Sequence, residues 1–257
     1  MSTLKAITRH RQIVEMLGTD GRVDVINLSE TLGVSTVTVR ADLLILEKSQ
    51  ILRRVRGGAI AMRPSRYERP VDLNASLRGA EKTAIAAIAA DMIRDGETIL
   101  MDTGSTIAAL AGLIPDKLTD LAVVTNSLNV AIELSPRPNI TVIVTGGTVR
   151  PKLNSLVSPF GTLLLDRVNA DVAFISCAGV DTVKGFTNSN WHEAEIKQKM
   201  MAAASRVVML ADHSKLKHVA TAKIADLDQV DLLITDQGAS PAAVKELRAA
   251  GLEVVLA

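Results

Sequence analysis

The sequence predicts an α/β protein in two domains: a small basic domain of three helices and a β-hairpin, then a larger domain on a mostly parallel sheet. Three observations carry this. Charge is segregated: residues 1–70 hold 12 Lys and Arg against 7 Asp and Glu, and the remainder holds 17 against 21, within an overall charge of +1. A basic head on an acidic body assigns the two parts different partners. Residues 62–77 are polar, carry Pro64 and Pro70 and lack apolar periodicity, which marks a linker. From residue 78 to 257, short apolar runs alternate with helical stretches, the pattern of βαβ units.

Composition excludes several classes. With 257 residues, 47% hydrophobic and 22% charged, the chain has the means to bury a core and is not wholly disordered. Cys177 is the single cysteine, so no internal disulfide forms and a reducing cytoplasm is expected. No apolar leader follows Met1, and no run of 18 uncharged apolar residues occurs, so neither secretion nor a membrane is expected.

Within the head, residues 1–61, Arg9 to about Thr19 places Ile13 and Leu17 on one helical face. Val25 to Leu32 reads as a second helix closed by Gly33. Ser35 offers an N-cap for a third, which runs to about Ser49 with Val39, Leu43 and Leu46 as its buried stripe. Thr36, Thr38, Arg40 and Ala41 are assigned to the opposite face. Two helices across a Gly-Val-Ser turn form a helix-turn-helix, and hydroxyls with an Arg at the start of its second helix suit base edges and phosphates of double-stranded DNA. The next segment, Ile51 to Ile60, reads as a hairpin wing turning at Gly57-Gly58. Its Arg53, Arg54 and Arg56 are placed to meet phosphates or a minor groove. The candidate DNA-binding residues are therefore Ser35, Thr36, Thr38, Arg40, Arg53, Arg54 and Arg56.

The body opens with a helix over about Ala80 to Arg94. Seven buried strands are expected at Thr98–Met101, Ala122–Val124, Ile140–Val144, Val172–Ser176, Val207–Leu210, Leu232–Thr235 and Glu253–Leu256. Helices are expected between them at Thr106–Leu113, Leu128–Leu134, Glu193–Ala203 and Pro241–Ala250. Ligands of such sheets bind beyond the carboxyl ends of the strands.

The first strand ends in Asp102-Thr103-Gly104-Ser105-Thr106, a Gly-containing turn into a helix whose amides and hydroxyls suit an anion. It holds no Lys and is no nucleotide loop of the Walker type, so a sugar phosphate or a carboxylate phosphate fits better than a nucleotide. The second strand leads into Asn126 and Ser127. The third leads into Gly146, Gly147, Arg150, Asn154 and Ser155. Later ends add Gly179 and Asp181, and then Lys215 as a cation for the phosphate. Asp102 and Asp181 are the candidate acceptors for sugar hydroxyls. Polar residues at successive strand ends point to one pocket. Trp191 is left between walling that pocket and packing on the sheet. Cys177 is expected to be buried, and no metal or other cofactor is expected.

The segment LSETLGVSTVTVRADLLILEKSQILRRVRGGA resembles the amino-terminal signature of the DeoR family of bacterial transcriptional regulators. Two positions depart from it, Ala41 after Arg40 and Arg56 before the Gly pair, so no operator sequence is carried over. DTGST, TNSL, TGGTVRPKLNSLVSPFG, GVD with GFTNSNWHEAEIK, and ADHSK resemble the effector domain of the same family across residues 78–257. That resemblance implies the fold of ribose-phosphate isomerases and glucosamine-phosphate deaminases, with a substrate phosphate on the loop matching DTGST. Those isomerases follow the matching Gly-x-Asp directly with a carboxylate base, where this chain has Thr182. A neutral hydroxyl does not remove a proton beside a carbonyl near pH 7. The expectation is a DNA-binding transcriptional regulator, a repressor of sugar-metabolism genes, whose operator binding responds to a phosphorylated sugar. It is expected to be no enzyme and to act as a homo-oligomer, dimer or tetramer. The competing readings are a sugar-phosphate isomerase and an architectural nucleic-acid binder.

Overall fold

The computed structural model describes residues 6, 8–10, 12–14, 16–17, 21–48, 51–61 and 77–257. The chain divides into two compact units, Met1–Leu77 and Arg78–Ala257. The expected linker lies, over 62–76, outside the described residues.

In the first unit, residues 8–10, 12–14 and 16–17 are helical and bring Ile13, Val14 and Leu17 into the core. Strand β1 (Arg22–Asp24) leads into helix α1 (Val25–Leu32). The side chain of Asp24 caps α1 by accepting from the Ile26 amide, and Gly33 ends it in the left-handed region at φ +62°, where glycine bears no Cβ penalty. Helix α2 (Thr36–Lys48) buries Val39, Leu43 and Leu46. The wing comprises β2 (Leu52–Val55) and β3 (Gly58–Ala61), and β1 completes a three-stranded antiparallel sheet in the order β1-β3-β2. Three residues are too few for β1 to show in periodicity. The hairpin turns on Arg56-Gly57, with Gly57 at φ +84°, and not on Gly57-Gly58. Gly58 instead opens β3 in close backbone contact, where an added Cβ would lie 2.0 Å from the Val23 carbonyl oxygen.

In the second unit, helix α3 (Gly79–Ala90) precedes β4 (Thr98–Met101), α4 (Ser105–Leu113), β5 (Leu121–Thr125), α5 (Leu128–Leu134) and β6 (Ile140–Val144). Two short strands, β7 (Thr148–Arg150) and β8 (Ser155–Val157), form a hairpin before α6 (Phe160–Leu165). Then come β9 (Ala170–Ser176), β10 (Gly179–Asp181), β11 (Gly185–Asn188), α7 (Trp191–Ala202), β12 (Ala204–Leu210), β13 (Ala222–Ala225), β14 (Leu232–Thr235), α8 (Pro241–Ala249) and β15 (Val254–Leu256). The seven expected strands are β4, β5, β6, β9, β12, β14 and β15, but β6 is not buried as expected: it lies at the sheet edge with Thr141, Ile143 and Val144 exposed. The seven form one wholly parallel sheet in the order β15-β14-β12-β9-β4-β5-β6.

Alternation along the strands divides the core. Ile99, Met101, Val123 and Phe174 pack with Ile85, Ile107 and Val130 of α3, α4 and α5. Leu100, Val124, Ala173 and Ile175 pack with Ile196, Met200 and Leu247 of α7 and α8. Side chains of successive strand residues point to opposite faces, so a parallel sheet covered on both sides reads as continuous apolar runs. The chain winds from β4 through β5 to β6 on one side and from β9 through β12 and β14 to β15 on the other. The carboxyl ends of β4 and β9 therefore flank the switch point, where open parallel sheets hold ligands. No helix among the described residues is long and apolar enough to cross a membrane.

Candidate functional site

In the head, Ser35 caps α2. Its Oγ accepts from the Thr38 amide at 3.1 Å and lies 2.9 Å from Thr38 Oγ1. Thr36 and Thr38 are half-buried beside this cap, and Arg40 is exposed. On β2 and its turn, Arg53, Arg54 and Arg56 are exposed. Arg54 is also bound within the head: its amide donates to Glu47 Oε1 at 2.8 Å and its Nε to Glu47 Oε2 at 2.7 Å. These bonds hold Glu47 below the ordinary glutamate pKa. The buried side of α2 carries Asp42, which accepts from Arg9 and lies 2.8 Å from His10 Nε2. Sequence periodicity gave no sign of that polar anchor, because Asp42 interrupts an apolar stripe.

The body concentrates buried polar groups at the switch point. Asp102, just past β4, is fully buried. Its Oδ2 accepts from the Ser176 amide at 3.0 Å, from Ser176 Oγ at 2.9 Å, and from Lys197 Nζ. Lys197 is 2% exposed and lies on α7 one turn beyond Glu193, which is 0% exposed. Glu193 Oε1 accepts from Arg150 Nη1 at 2.7 Å and from Ser155 Oγ at 2.5 Å. Burial raises the Glu193 pKa against the opposing pull of Lys197, the Ser155 hydrogen bond and Arg150. Thr103 Oγ1 donates to the Leu153 carbonyl at 3.3 Å, and Asn126 Nδ2 to the Leu156 carbonyl at 3.2 Å. Gly104, at φ +134°, lies so close to Ser176 that a Cβ would sit 2.9 Å from its Oγ. It opens α4 with Ser105 half-buried and Thr106 buried.

Three atoms of this cluster meet no hydrogen-bonding partner among the described residues: Asp102 Oδ1, Asn126 Oδ1 and Glu193 Oε2. The two carboxylate oxygens accept when ionised, and an amide carbonyl oxygen accepts always. Each buried acceptor left unmatched costs about 1–3 kcal/mol, a cost that a donor from a bound water or ligand would relieve.

A cationic group gathers past the end of β12, which β9 separates from β4 in the sheet. Lys215 ends a single 3-10 turn after Asp212. Asp212 Oδ1 accepts from the Ser214 amide at 3.0 Å and lies 3.8 Å from Arg78 Nε. Lys82, in the first turns of α3, is 6% exposed. Burial pushes its pKa down to about 8, with Lys215 and Arg78 adding to the effect and Asp212 opposing it. Burial would raise Asp212, but Lys215, the Ser214 hydrogen bond, Arg78 and Lys82 hold it below its ordinary value. Cys177 is buried and pushed up to about 12 by burial, and it feels both Lys215 and Lys197.

The remaining expected residues have local duties. Ser127 caps α5, its Oγ accepting from the Val130 amide at 3.3 Å. Asn154 adopts φ +49° and donates to Asn129 Oδ1 at 3.2 Å. Gly146 and Gly147 take positive φ, and Gly179 packs against the His218 carbonyl, 2.3 Å from where a Cβ would stand. Asp181 is not hydrogen-bonded to the acceptor cluster. Its Oδ1 takes the Val183 and Lys184 amides at 2.9 and 2.8 Å in the β10–β11 turn. Trp191 is exposed at the start of α7 and does not pack on the sheet.

Comparison with known proteins accounts for both units. The DeoR-like helix-turn-helix domain matches residues 9–65, and the DeoR C terminal sensor domain matches residues 78–237. The chain belongs to the DeoR family. Among its relatives, the HTH-type transcriptional regulator GolR of Listeria innocua is 36% identical over 97% of this chain and 98% of its own. The HTH-type transcriptional repressor GlcR of Bacillus subtilis is 30% identical, over 95% and 93%. The L-fucose operon activator of Haemophilus influenzae is also 30% identical, over 89% and 91%. Ribose 5-phosphate isomerase A of Methanocaldococcus jannaschii superposes on 52% of this chain with a TM-score of 0.39 at 19% identity.

This DeoR-family regulator thus pairs a DNA-binding head with a sensor domain. Four residues of these buried polar and cationic groups, Lys197, Glu193, Lys82 and Arg78, carry no local signal of the kind that marks the strand-end loops. A signal existed for two of them. Glu193 and Lys197 stand four apart and share a helical face with the apolar Ile196 and Met200 close by, so both point inward.

Proposed function

We propose that this DeoR-family regulator represses sugar-metabolism genes by binding double-stranded operator DNA, and that a phosphorylated sugar in the sensor domain modulates that binding. The observation carrying the ligand class is the pairing of two chemistries at one end of the sheet. Asp102 Oδ1, Asn126 Oδ1 and Glu193 Oε2 are buried acceptors without donors. A sugar supplies hydroxyl donors, and a phosphate suits the amides before α4 together with Ser105, Lys215 and Lys82. Repression agrees with the name of the Bacillus relative, and a sugar operon with that of the Haemophilus one.

Sensing without turnover is the reading favoured over isomerisation. Thr182 follows Asp181, and Asp181 is engaged by two backbone amides of its own turn. Half-sites read by helix-turn-helix heads come in pairs, so the working form is a homo-oligomer, dimer or tetramer. The test is a thermal-shift panel of sugar phosphates, each beside its unphosphorylated sugar. A ligand at 100 times its Kd adds about 2.7 kcal/mol to native stability. Stabilisation by one sugar phosphate, absent with the free sugar and without product formation, is the expected result. Stabilisation by no member of the panel, or steady turnover of the one that binds, would overturn the reading.

A further inference from the structure

On α2 the residues facing away from the core are not the expected threonines. At about 100° per residue, Val37, Arg40, Ala41, Leu44 and Lys48 fall on one arc opposite Val39, Asp42, Leu43 and Leu46. Val37 is 71% exposed and Leu44 38%, and Arg40 and Ala41 are exposed as well. Thr36 and Thr38 stand at the flanks, half-buried, and the Thr38 hydroxyl is engaged with Ser35. The outermost side chain in the first turn of the recognition helix is therefore a branched aliphatic one.

That position has a chemical meaning. In a helix-turn-helix the N-terminal residues of the second helix reach the base edges. The major-groove edge of thymine carries an apolar group, the C5-methyl, beside its O4 acceptor, and apolar side chains read that methyl. A single exposed valine needs no explanation on an ordinary surface. Here it stands one turn before Arg40, a donor suited to guanine O6 and N7, on a face that Ala41 leaves open. We propose that Val37 reads a thymine methyl, making the head specific for a step that joins a thymine to the base read by Arg40.

The test starts from duplexes enriched by the full-length chain out of a random pool. Each thymine of the enriched duplex is then replaced singly by deoxyuridine, which removes only the methyl. Burying one such group is worth about 0.8 kcal/mol, or about fourfold in affinity. The wild type is expected to lose about fourfold at one or two positions. Val37→Ala is expected to bind the thymine and uracil duplexes alike there, while Val37→Ile keeps the preference. Comparing the substitution in both proteins cancels any change in duplex shape. Equal binding of all uracil duplexes by the wild type, or a thymine preference kept in full by Val37→Ala, would overturn the assignment. Failure to enrich any duplex would overturn DNA reading by the head and this proposal with it, a result distinct from enrichment without methyl dependence.

Discussion

Arg9 and Asp42 form a two-point ion pair in the head, Arg9 Nε donating to Oδ2 at 2.5 Å and Arg9 Nη2 to Oδ1 at 2.9 Å. The pair joins the first helix to the buried side of the recognition helix, with side-chain exposures of 17% and 5%. Removing one partner of a buried pair costs about 3–5 kcal/mol. The residual exposure of Arg9 places Asp42→Ala near the low end, at about 3 kcal/mol. Burial alone would raise the Asp42 pKa, but the hydrogen bonds from Arg9 and His10 outweigh it and hold it below the ordinary value. The contribution is therefore present above the ordinary carboxylate pKa of about 3.9. It is lost as pH falls through the lower folded value. Protection of the Val39 and Leu43 amides from hydrogen exchange, taken relative to the intrinsic rate at each pH, is expected to fall in acid for the wild type. In Asp42→Ala that protection is expected to be low already at neutral pH. Equal protection in the two proteins would show that the pair does not hold the helix.

Arg40 and Arg53 are expected to fail differently. If Arg40 reads a base edge, Arg40→Ala loses about 1–3 kcal/mol of preference for operator over random DNA. If Arg53 meets a phosphate, Arg53→Ala weakens binding to both and flattens the dependence of log K on log salt by about 0.9. Arg54 is the weaker probe, because Glu47 already holds its side chain. Binding isotherms at several salt concentrations check both variants, and equal losses on operator and random DNA for Arg40→Ala would count against base reading.

The framework of this fold was legible in the sequence, and its polar interior was not. All seven parallel strands and the helix Leu128–Leu134 follow from apolar runs and punctuation, because sheets covered on both faces demand continuous hydrophobicity. Strands β7, β8, β10, β11 and β13 are no shorter than β15, but none holds three consecutive apolar residues, so no run marks them. The loop at Asp102 was legible because a strand end followed by Gly and hydroxyls is a local pattern. Its partner Lys197 lies 95 positions away. Nothing local distinguishes a lysine that folds inward to a carboxylate from one that reaches water. The outward placement of Val37 was legible, since at about 100° per residue it falls opposite Val39, Leu43 and Leu46.

Glu193→Gln separates the acceptor role from the structural one. Glutamine keeps a carbonyl oxygen for Arg150 and Ser155, but replaces the acceptor Glu193 Oε2 with a donor. A ligand hydroxyl donating there loses its partner, which costs about 1.5 kcal/mol or more for a charged acceptor. Calorimetric titration with the sugar phosphate chosen by the thermal-shift panel is expected to show at least tenfold weaker binding. Binding at wild-type strength would place the sugar hydroxyls away from Glu193.

The cationic group predicts an alkaline limit to sensing. Lys82 is buried, and its pKa is pushed down to about 8 by burial first and by Lys215 and Arg78 in addition. For a lysine so depressed, the sign runs against the charged form in the free protein. Its burial costs stability in full below pH 8, and that cost is relieved as pH rises from about 8 toward the ordinary value of about 10.4. A phosphate arriving beside Lys82, Lys215 and Arg78 favours the protonated amine and raises its pKa, so binding takes up a proton wherever Lys82 is partly neutral. Affinity for the sugar phosphate is thus expected to be level from about pH 7 to 7.5, where a phosphate of second pKa about 6 is at least about nine-tenths ionised, and to fall through about pH 8 to 9.5. The proton uptake is measurable directly, as a binding enthalpy that varies with the ionisation enthalpy of the buffer at pH 8. Lys82→Met removes the titrating amine. It is expected to bind more weakly at neutral pH, with a flat profile over that alkaline range and no buffer dependence. A wild-type affinity that does not change between pH 7.5 and 9.5 would place the phosphate away from Lys82.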